Sequence, residues 1–91
     1  MIFLKIKGKY VLREISGETI AVPLSETVLT SNVIIVLNGT GKFLWQLFEK
    51  GGTEDGFAEA LCEEYEIDKE TALSDTREFI EYLKSNKVEF E

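Results

Sequence analysis

The sequence predicts an α+β domain with a winged-helix-like order of elements, in which a three-stranded antiparallel sheet is followed by three helices. Residue types common in β-strands fill the N-terminal third, whereas the remainder carries apolar residues at helical spacing. Strands and helices that are segregated along a chain in this way favour an α+β architecture. With 91 residues, the chain is expected to form a single domain over residues 1–91.

The first two strands of the sheet are predicted on either side of a turn. Tyr10 to Ile15 and Thr19 to Val22 are rich in β-branched and aromatic residues, and Ser16-Gly17 lies between them. Pro23 ends the second strand, since proline cannot donate a hydrogen bond to a neighbouring strand. We therefore expect a β-hairpin here, and a further short strand over Ile2 to Ile6.

The third strand of the sheet is predicted over Val33 to Leu37, five apolar residues in a row. This run is too short for a helix and has no polar face, so either both of its faces are covered or one awaits a partner. At the edge of a sheet, its unpaired backbone groups would suit the addition of an extended peptide. In the centre of a sheet it would be an ordinary core strand. The composition of the run leaves both interpretations open.

The first helix is predicted to begin after Asn38, whose side-chain oxygen can accept a hydrogen bond from a backbone N–H of the first turn. We expect Trp45 to lie off the centre of the buried face and Gly51-Gly52 to end the helix. The expected buried face consists of Phe43, Leu44, Leu47 and Phe48.

Two further helices are predicted to begin after the capping residues Thr53 and Asp68, and the last ends near Asn86. The short apolar tail, with Val88 and Phe90, is expected to pack back on the core. The buried face predicted for the second helix is Phe57, Ala60, Leu61 and Tyr65. The buried face predicted for the third helix is Ala72, Thr76, Phe79, Ile80 and Leu83.

The composition argues against most enzyme mechanisms. The chain has no His and one Cys, so it lacks the residues for His-based catalysis, for intrachain disulfides and for Cys or His metal clusters. Carboxylates are frequent on the last two helices, but their spacing is typical of a solvated surface. We therefore expect a protein that is not an enzyme and that binds no metal and no cofactor.

The charge distribution argues against nucleic acid and membranes as partners. The formal net charge is −7, and residues 49–91 hold fourteen of the seventeen acidic residues. Such a surface repels phosphate groups, which disfavours DNA binding through the acidic third helix. No apolar run is long enough to span a membrane, and the N-terminus lacks the charge order of a secretory signal, so we expect a cytoplasmic protein.

Most of the chain resembles the PqqD-like family, also called RiPP recognition elements. These small domains bind the leader of a ribosomally synthesised precursor peptide for its modifying enzymes. The resemblance is carried by an ordered set of residues rather than by one motif: Leu37-Asn38-Gly39-Thr40-Gly41, Phe43-Leu44-Trp45-Gln46-Leu47-Phe48, Gly52-Thr53, Ala60-Leu61, Tyr65, Asp75, Phe79 and Leu83.

The resemblance implies a non-catalytic peptide-binding adaptor, a peptide chaperone of natural product biosynthesis. The leader would add as an extra strand beside the third strand and lie against the last helix. The partners implied are the precursor peptide and a modifying enzyme such as a radical SAM protein. The residues that this places at the peptide are Val33, Ile34, Ile35, Val36, Leu37, Asp75, Thr76, Phe79, Ile80 and Leu83.

Two interpretations of other classes stay open at this point. One is a winged-helix DNA-binding regulator, against which the acidic third helix argues. The other is a structural oligomerisation module, in which the apolar third strand pairs with a second copy to form a homodimer.

Overall fold

A computed structural model of the chain describes residues 2–24 and 35–91. Within them, the strands are β1 (Phe3–Leu4), β2 (Tyr10–Ile15), β3 (Glu18–Pro23), β4 (Ile35–Leu37) and β5 (Gly52–Thr53), and the helices are α1 (Gly39–Lys50), α2 (Glu54–Tyr65) and α3 (Lys69–Ser85). Strands β2, β3 and β4 form an antiparallel sheet that precedes the three helices. The predicted α+β fold is confirmed. None of the described helices has the length and apolar character needed to cross a membrane.

The hairpin of β2 and β3 closes through the predicted turn. Ile15 lies opposite Glu18, so the turn consists of two residues only. Both have positive φ angles, 52° at Ser16 and 82° at Gly17, which is the pattern of a type I′ turn. This turn matches the right-handed twist of the flanking strands, and it fixes their register.

Strand β4 lies at the edge of the three-stranded sheet, in the order β2-β3-β4. Leu37 lies opposite Thr19, and Ile35 lies opposite Ala21. Of the two interpretations that the sequence leaves open, the structure therefore selects the edge strand for residues 35–37. Val33 and Ile34, which the prediction includes in this strand, lie outside the described residues.

A second, two-stranded sheet holds the N-terminal segment. Strand β1 pairs with β5, and Ile6 forms an isolated bridge with Phe90 in the C-terminal tail. The short strand expected over Ile2 to Ile6 is therefore present, but it joins β5, which the sequence did not predict. Val88 is buried, as predicted for the tail.

The core between sheet and helices corrects the prediction for α1. Trp45 is completely buried, with the ring of Tyr10 edge-on at a centroid distance of 5.0 Å, whereas Phe43 and Leu47 are only half-buried. The buried residues of α1 follow the spacing i, i+3, i+4 and i+7, which brings them onto one face of the helix. They are Gly41, Leu44, Trp45 and Phe48.

The outcome differs between the other two helices. In α2 the buried residues include Ala58 rather than Ala60, and Tyr65 is 41% exposed, so the predicted face was wrong at two positions. In α3 the predicted buried face is confirmed in full, with Ala72, Thr76, Phe79, Ile80 and Leu83 all buried. The three predicted N-caps are also confirmed, because Asn38, Thr53 and Asp68 each accept a backbone N–H three residues later.

The cap of α3 makes a pH-dependent prediction. Hydrogen bonding from Thr71, through its side chain and its backbone N–H, holds the pKa of the Asp68 carboxyl below its ordinary value of 3.8. The stability that this cap contributes is present above that value and is lost as the pH falls through the lower pKa of the folded protein.

We expect Asp68→Asn to retain the cap at neutral pH, because Asn accepts the same bond without titrating, and to lose less stability than the wild type as the pH falls below 3.8. Asp68→Ala should be less stable than both at neutral pH. Urea unfolding followed by the fluorescence of the single tryptophan, Trp45, measures this. Equal acid sensitivity of the wild type and Asp68→Asn would contradict it.

The C-terminus of α1 makes a second prediction. Gly51 has φ 93° and ψ 155°, a region that only glycine adopts readily, and a Cβ there would lie 2.6 Å from the Phe3 ring. We expect Gly51→Ala to lower the free energy of unfolding by about 2–3 kcal/mol, near the upper end for strained backbone. Gly17→Ala is the control, since its φ is also positive but nothing lies within 4 Å, and it should cost about 1 kcal/mol. Equal costs at the two sites in urea unfolding would contradict this account.

Candidate functional site

A groove runs between the edge strand β4 and the helix α3, with the start of α1 at its floor. Its cavity has a volume of about 390 Å³. We call it the edge groove, and its lining residues are Val36, Leu37, Asn38, Thr40, Gly41, Leu44, Asp75, Glu78, Phe79 and Tyr82.

The two-residue turn at Ser16-Gly17 determines which backbone groups face the edge groove. In such a hairpin the two residues that flank the turn exchange both backbone hydrogen bonds, and such pairs then alternate along the ladder. Glu18, Ile20 and Val22 therefore direct their N–H and C=O groups to β2, and Thr19 and Ala21 direct theirs to β4.

The same alternation continues into β4. Ile35 and Leu37 lie opposite Ala21 and Thr19 and bond back to β3, whereas Val36 lies opposite Ile20 in a pair that exchanges no backbone bonds. The N–H and C=O of Val36 consequently point away from β3, into the edge groove. Its side chain is 47% exposed, while those of Ile35 and Leu37 are buried. The strand thus presents one apolar side chain and an outward-facing peptide group at Val36 that pairs with no other strand in the described part of the chain.

The helical wall comes from one face of α3. Asp75, Glu78, Phe79 and Tyr82 follow the spacing i, i+3, i+4 and i+7, which brings them onto one stripe of a helix. The rings of Phe79 and Tyr82 lie side by side, with centroids 6.3 Å apart. The Tyr82 hydroxyl donates a hydrogen bond of 2.8 Å to the Val36 carbonyl oxygen, across the groove.

The floor of the edge groove depends on a close approach of α1 to α3. A Cβ at Gly41 would lie 3.1 Å from the Asn38 side-chain oxygen and 3.4 Å from the Phe79 ring. A glycine at this position therefore lets the capped first turn of α1 sit against Phe79. Leu44, one turn later, lines the same floor.

The charge of the edge groove is negative. Asp75 and Glu78 line it, and no Lys or Arg of residues 2–24 and 35–91 does. Among the described residues, the ion pairs involve neither of these two carboxylates. A cationic side chain that entered the groove would therefore meet carboxylates that are not already neutralised by a neighbouring base.

The structure divides the predicted site residues into two groups. Val36, Leu37, Asp75 and Phe79 meet at the edge groove, with Ile35 adjacent on β4. The others described belong to the core: Thr76, Ile80 and Leu83.

These three core residues support α3 rather than line its groove face. The Thr76 hydroxyl is satisfied inside the helix, where it donates 2.8 Å to the Ala72 carbonyl oxygen. Ile80 faces a different cavity, next to Ile2 and Leu4.

Sequence reasoning missed Tyr82 altogether, and it named Glu78 only as an acid that, like Asp75, could meet basic leader side chains, not as a residue of the peptide site. The signal that identifies them is a second periodicity on α3. The core stripe includes Thr76, Ile80 and Leu83, and the groove stripe is offset from it by one residue toward the N-terminus. Phe79 belongs to both stripes, so a prediction of one buried face on α3 accounted for Phe79 without revealing the groove stripe.

Comparisons with known proteins agree with this architecture. The chain matches the model of the family described as coenzyme PQQ synthesis protein D (PqqD) over residues 26–88. It is also similar to a solved structure of TbiB1 in complex with the TbiA(beta) leader peptide, with a TM-score of 0.70 and 26% sequence identity, over 96% of this chain and 94% of that one. A search of curated proteins found no match. Since the family match spans more than half of the residues, the chain belongs to the PqqD family.

Proposed function

We propose that this chain is a non-catalytic adaptor that binds the leader of a ribosomally synthesised precursor peptide in the edge groove. The observation that carries the proposal is the outward-facing backbone of Val36 on an edge strand, opposite a helix that supplies an apolar and acidic wall. An extended peptide that lies in the groove would pair its main chain with β4 and direct alternate side chains toward α3.

Family membership and the similarity to TbiB1 support this function. TbiB1 was solved with the TbiA(beta) leader peptide, and the two chains share their fold over nearly their full lengths. In this chain β4 and α3 border one groove, which supports strand addition at that place. The resemblance in the sequence pointed to the same two elements as the peptide site.

The adaptor acts by proximity. A bound leader tethers the remainder of the precursor near a modifying enzyme, which raises the effective concentration of the residues to be modified. A radical SAM protein is the enzyme partner that we propose, and the cytoplasm is the proposed compartment. No step of this mechanism requires a catalytic group, a metal ion or a cofactor on this chain.

The acidic lining favours a leader segment with a Lys or Arg side chain. Asp75 and Glu78 lie one helical turn apart on the groove stripe, so a single basic side chain can reach both carboxylates. Since the groove is open to solvent, this attraction is modest and is screened by salt, and it adds to the association rate and the orientation of the leader as well as to its affinity.

The first test removes the backbone donor of Val36. We expect Val36→Pro to bind a synthetic leader half, made from the N-terminal half of the peptide of the nearest short open reading frame, about 10-fold more weakly or worse, because a peptide carbonyl loses its partner. Val36 is preferable to Ile35, whose N–H bonds to β3 and is needed for the sheet itself. Isothermal titration calorimetry measures the affinity, and Trp45 fluorescence verifies folding.

Glu14→Pro is the matched control. Glu14 lies on β2, and by the same alternation its N–H points away from β3 at the opposite edge of the sheet. Its proline variant should bind the leader as the wild type does. A folded Val36→Pro variant with wild-type affinity would rule out strand addition at β4.

The second test neutralises the acidic lining. Asp75→Asn combined with Glu78→Gln keeps the shapes of both side chains. We expect the affinity for a leader that contains Lys or Arg to fall about 3- to 10-fold at low salt, and its salt dependence to flatten. Glu63→Gln combined with Glu64→Gln makes the same charge change on α2, outside the groove lining. If both double variants lower the affinity equally, the effect is one of overall charge and the groove carboxylates do not orient the leader.

A further inference from the structure

The hydrogen bond between Tyr82 and Val36 joins the two walls of the edge groove. The residues are 46 positions apart, and their bond of 2.8 Å connects the C-terminal end of α3's groove stripe to the centre of β4. The Tyr82 side chain is 38% exposed, so it is packed on Phe79 on one side and open to solvent on the other. Its hydroxyl has room to turn away without disturbing the core.

The acceptor in this bond is the group that an added strand needs. The C=O of Val36 is the outward-facing acceptor of β4 among residues 35–37, because those of Ile35 and Leu37 are directed to β3. An incoming peptide would place an N–H where the Tyr82 hydroxyl now lies. The hydroxyl therefore imitates, with one side chain, the first hydrogen bond of a fourth strand.

We propose that Tyr82 is a latch, which closes the edge groove in the free protein and is displaced when the leader adds to β4. This inference rests on the proposed function. An unpaired strand edge tends to pair with other chains, and proteins normally protect it. The Tyr82 hydroxyl protects the edge with a hydrogen bond that a correctly placed peptide N–H can replace. A ligand without a main-chain donor cannot replace this bond, so it binds the groove more weakly.

The latch acts on the free protein only, and this gives it a kinetic signature. Rotation of an exposed side chain takes picoseconds to nanoseconds, far less than the time of a protein encounter. The closed and open forms are therefore in equilibrium before the peptide arrives, and the observed association rate is reduced in proportion to the open fraction. A residue that contacts the bound peptide would instead change the dissociation rate.

The experiment compares Tyr82→Phe with the wild type by stopped-flow or surface plasmon resonance, with the synthetic leader half as the probe. Tyr82→Phe keeps the ring on Phe79 and removes only the hydroxyl. We expect the association rate constant to rise about 2- to 10-fold, the range for one net hydrogen bond, with the dissociation rate unchanged. In the free protein, the ¹³C shift of the Val36 carbonyl should also change.

Tyr65→Phe is the matched control. The Tyr65 hydroxyl is similarly exposed and also donates to a backbone carbonyl oxygen, that of Gly39 at 3.4 Å, but Tyr65 does not line the edge groove. This variant should leave both the binding rates and the Val36 carbonyl shift as in the wild type.

Three results would overturn the latch. Faster dissociation or weaker binding of Tyr82→Phe would make Tyr82 a contact of the bound leader. Unchanged rates, or an unchanged Val36 carbonyl shift, would show that the bond does not close the groove. If the wild type itself binds no leader, both the proposed function and the latch are wrong. The other two results contradict the latch alone and leave the proposed function unaffected.

Discussion

The alternation of hydrogen bonds that begins at the two-residue turn is the constraint on which the site depends. Because Ser16-Gly17 closes the hairpin tightly, the bonding direction of every residue in β3 is fixed, and with it that of β4. The N–H and C=O groups of Val36 must therefore point away from β3. A turn longer or shorter by one residue would exchange the roles of Val36 and its two neighbours, and would turn their buried side chains outward.

Helix α3 serves the core and the edge groove at once. Its buried stripe holds the helix against the sheet, and its groove stripe, offset by one residue, presents two carboxylates and two rings. Phe79 takes part in both, packing edge-on against Phe48 in the core while it lines the groove. Stability and the proposed peptide binding are therefore coupled at this residue, whereas Asp75 and Tyr82 lie outside the buried stripe of α3.

Local rules were sufficient for much of the fold. Caps at Asn38, Thr53 and Asp68 and the turn at Ser16-Gly17 depend on neighbours within a few residues, so they could be read from the sequence. The buried face of α1 could not be predicted from neighbouring residues alone. An apolar residue such as Trp45 is compatible with several orientations of its helix, and its full burial depends on packing against residues far away in sequence, such as Tyr10 on β2.

Sequence patterns alone were sufficient to predict a three-stranded sheet followed by three helices, the start of each helix, the acidic character of the last two helices and the resemblance to the family. Only the packed chain shows that β4 is an edge strand, that Thr76, Ile80 and Leu83 lie outside the groove lining, and that Tyr82 reaches Val36. The physical reason is the distance along the sequence over which each effect acts. Propensity, capping and periodicity act over a few residues, whereas a strand edge and a groove exist only once segments distant in sequence have packed together.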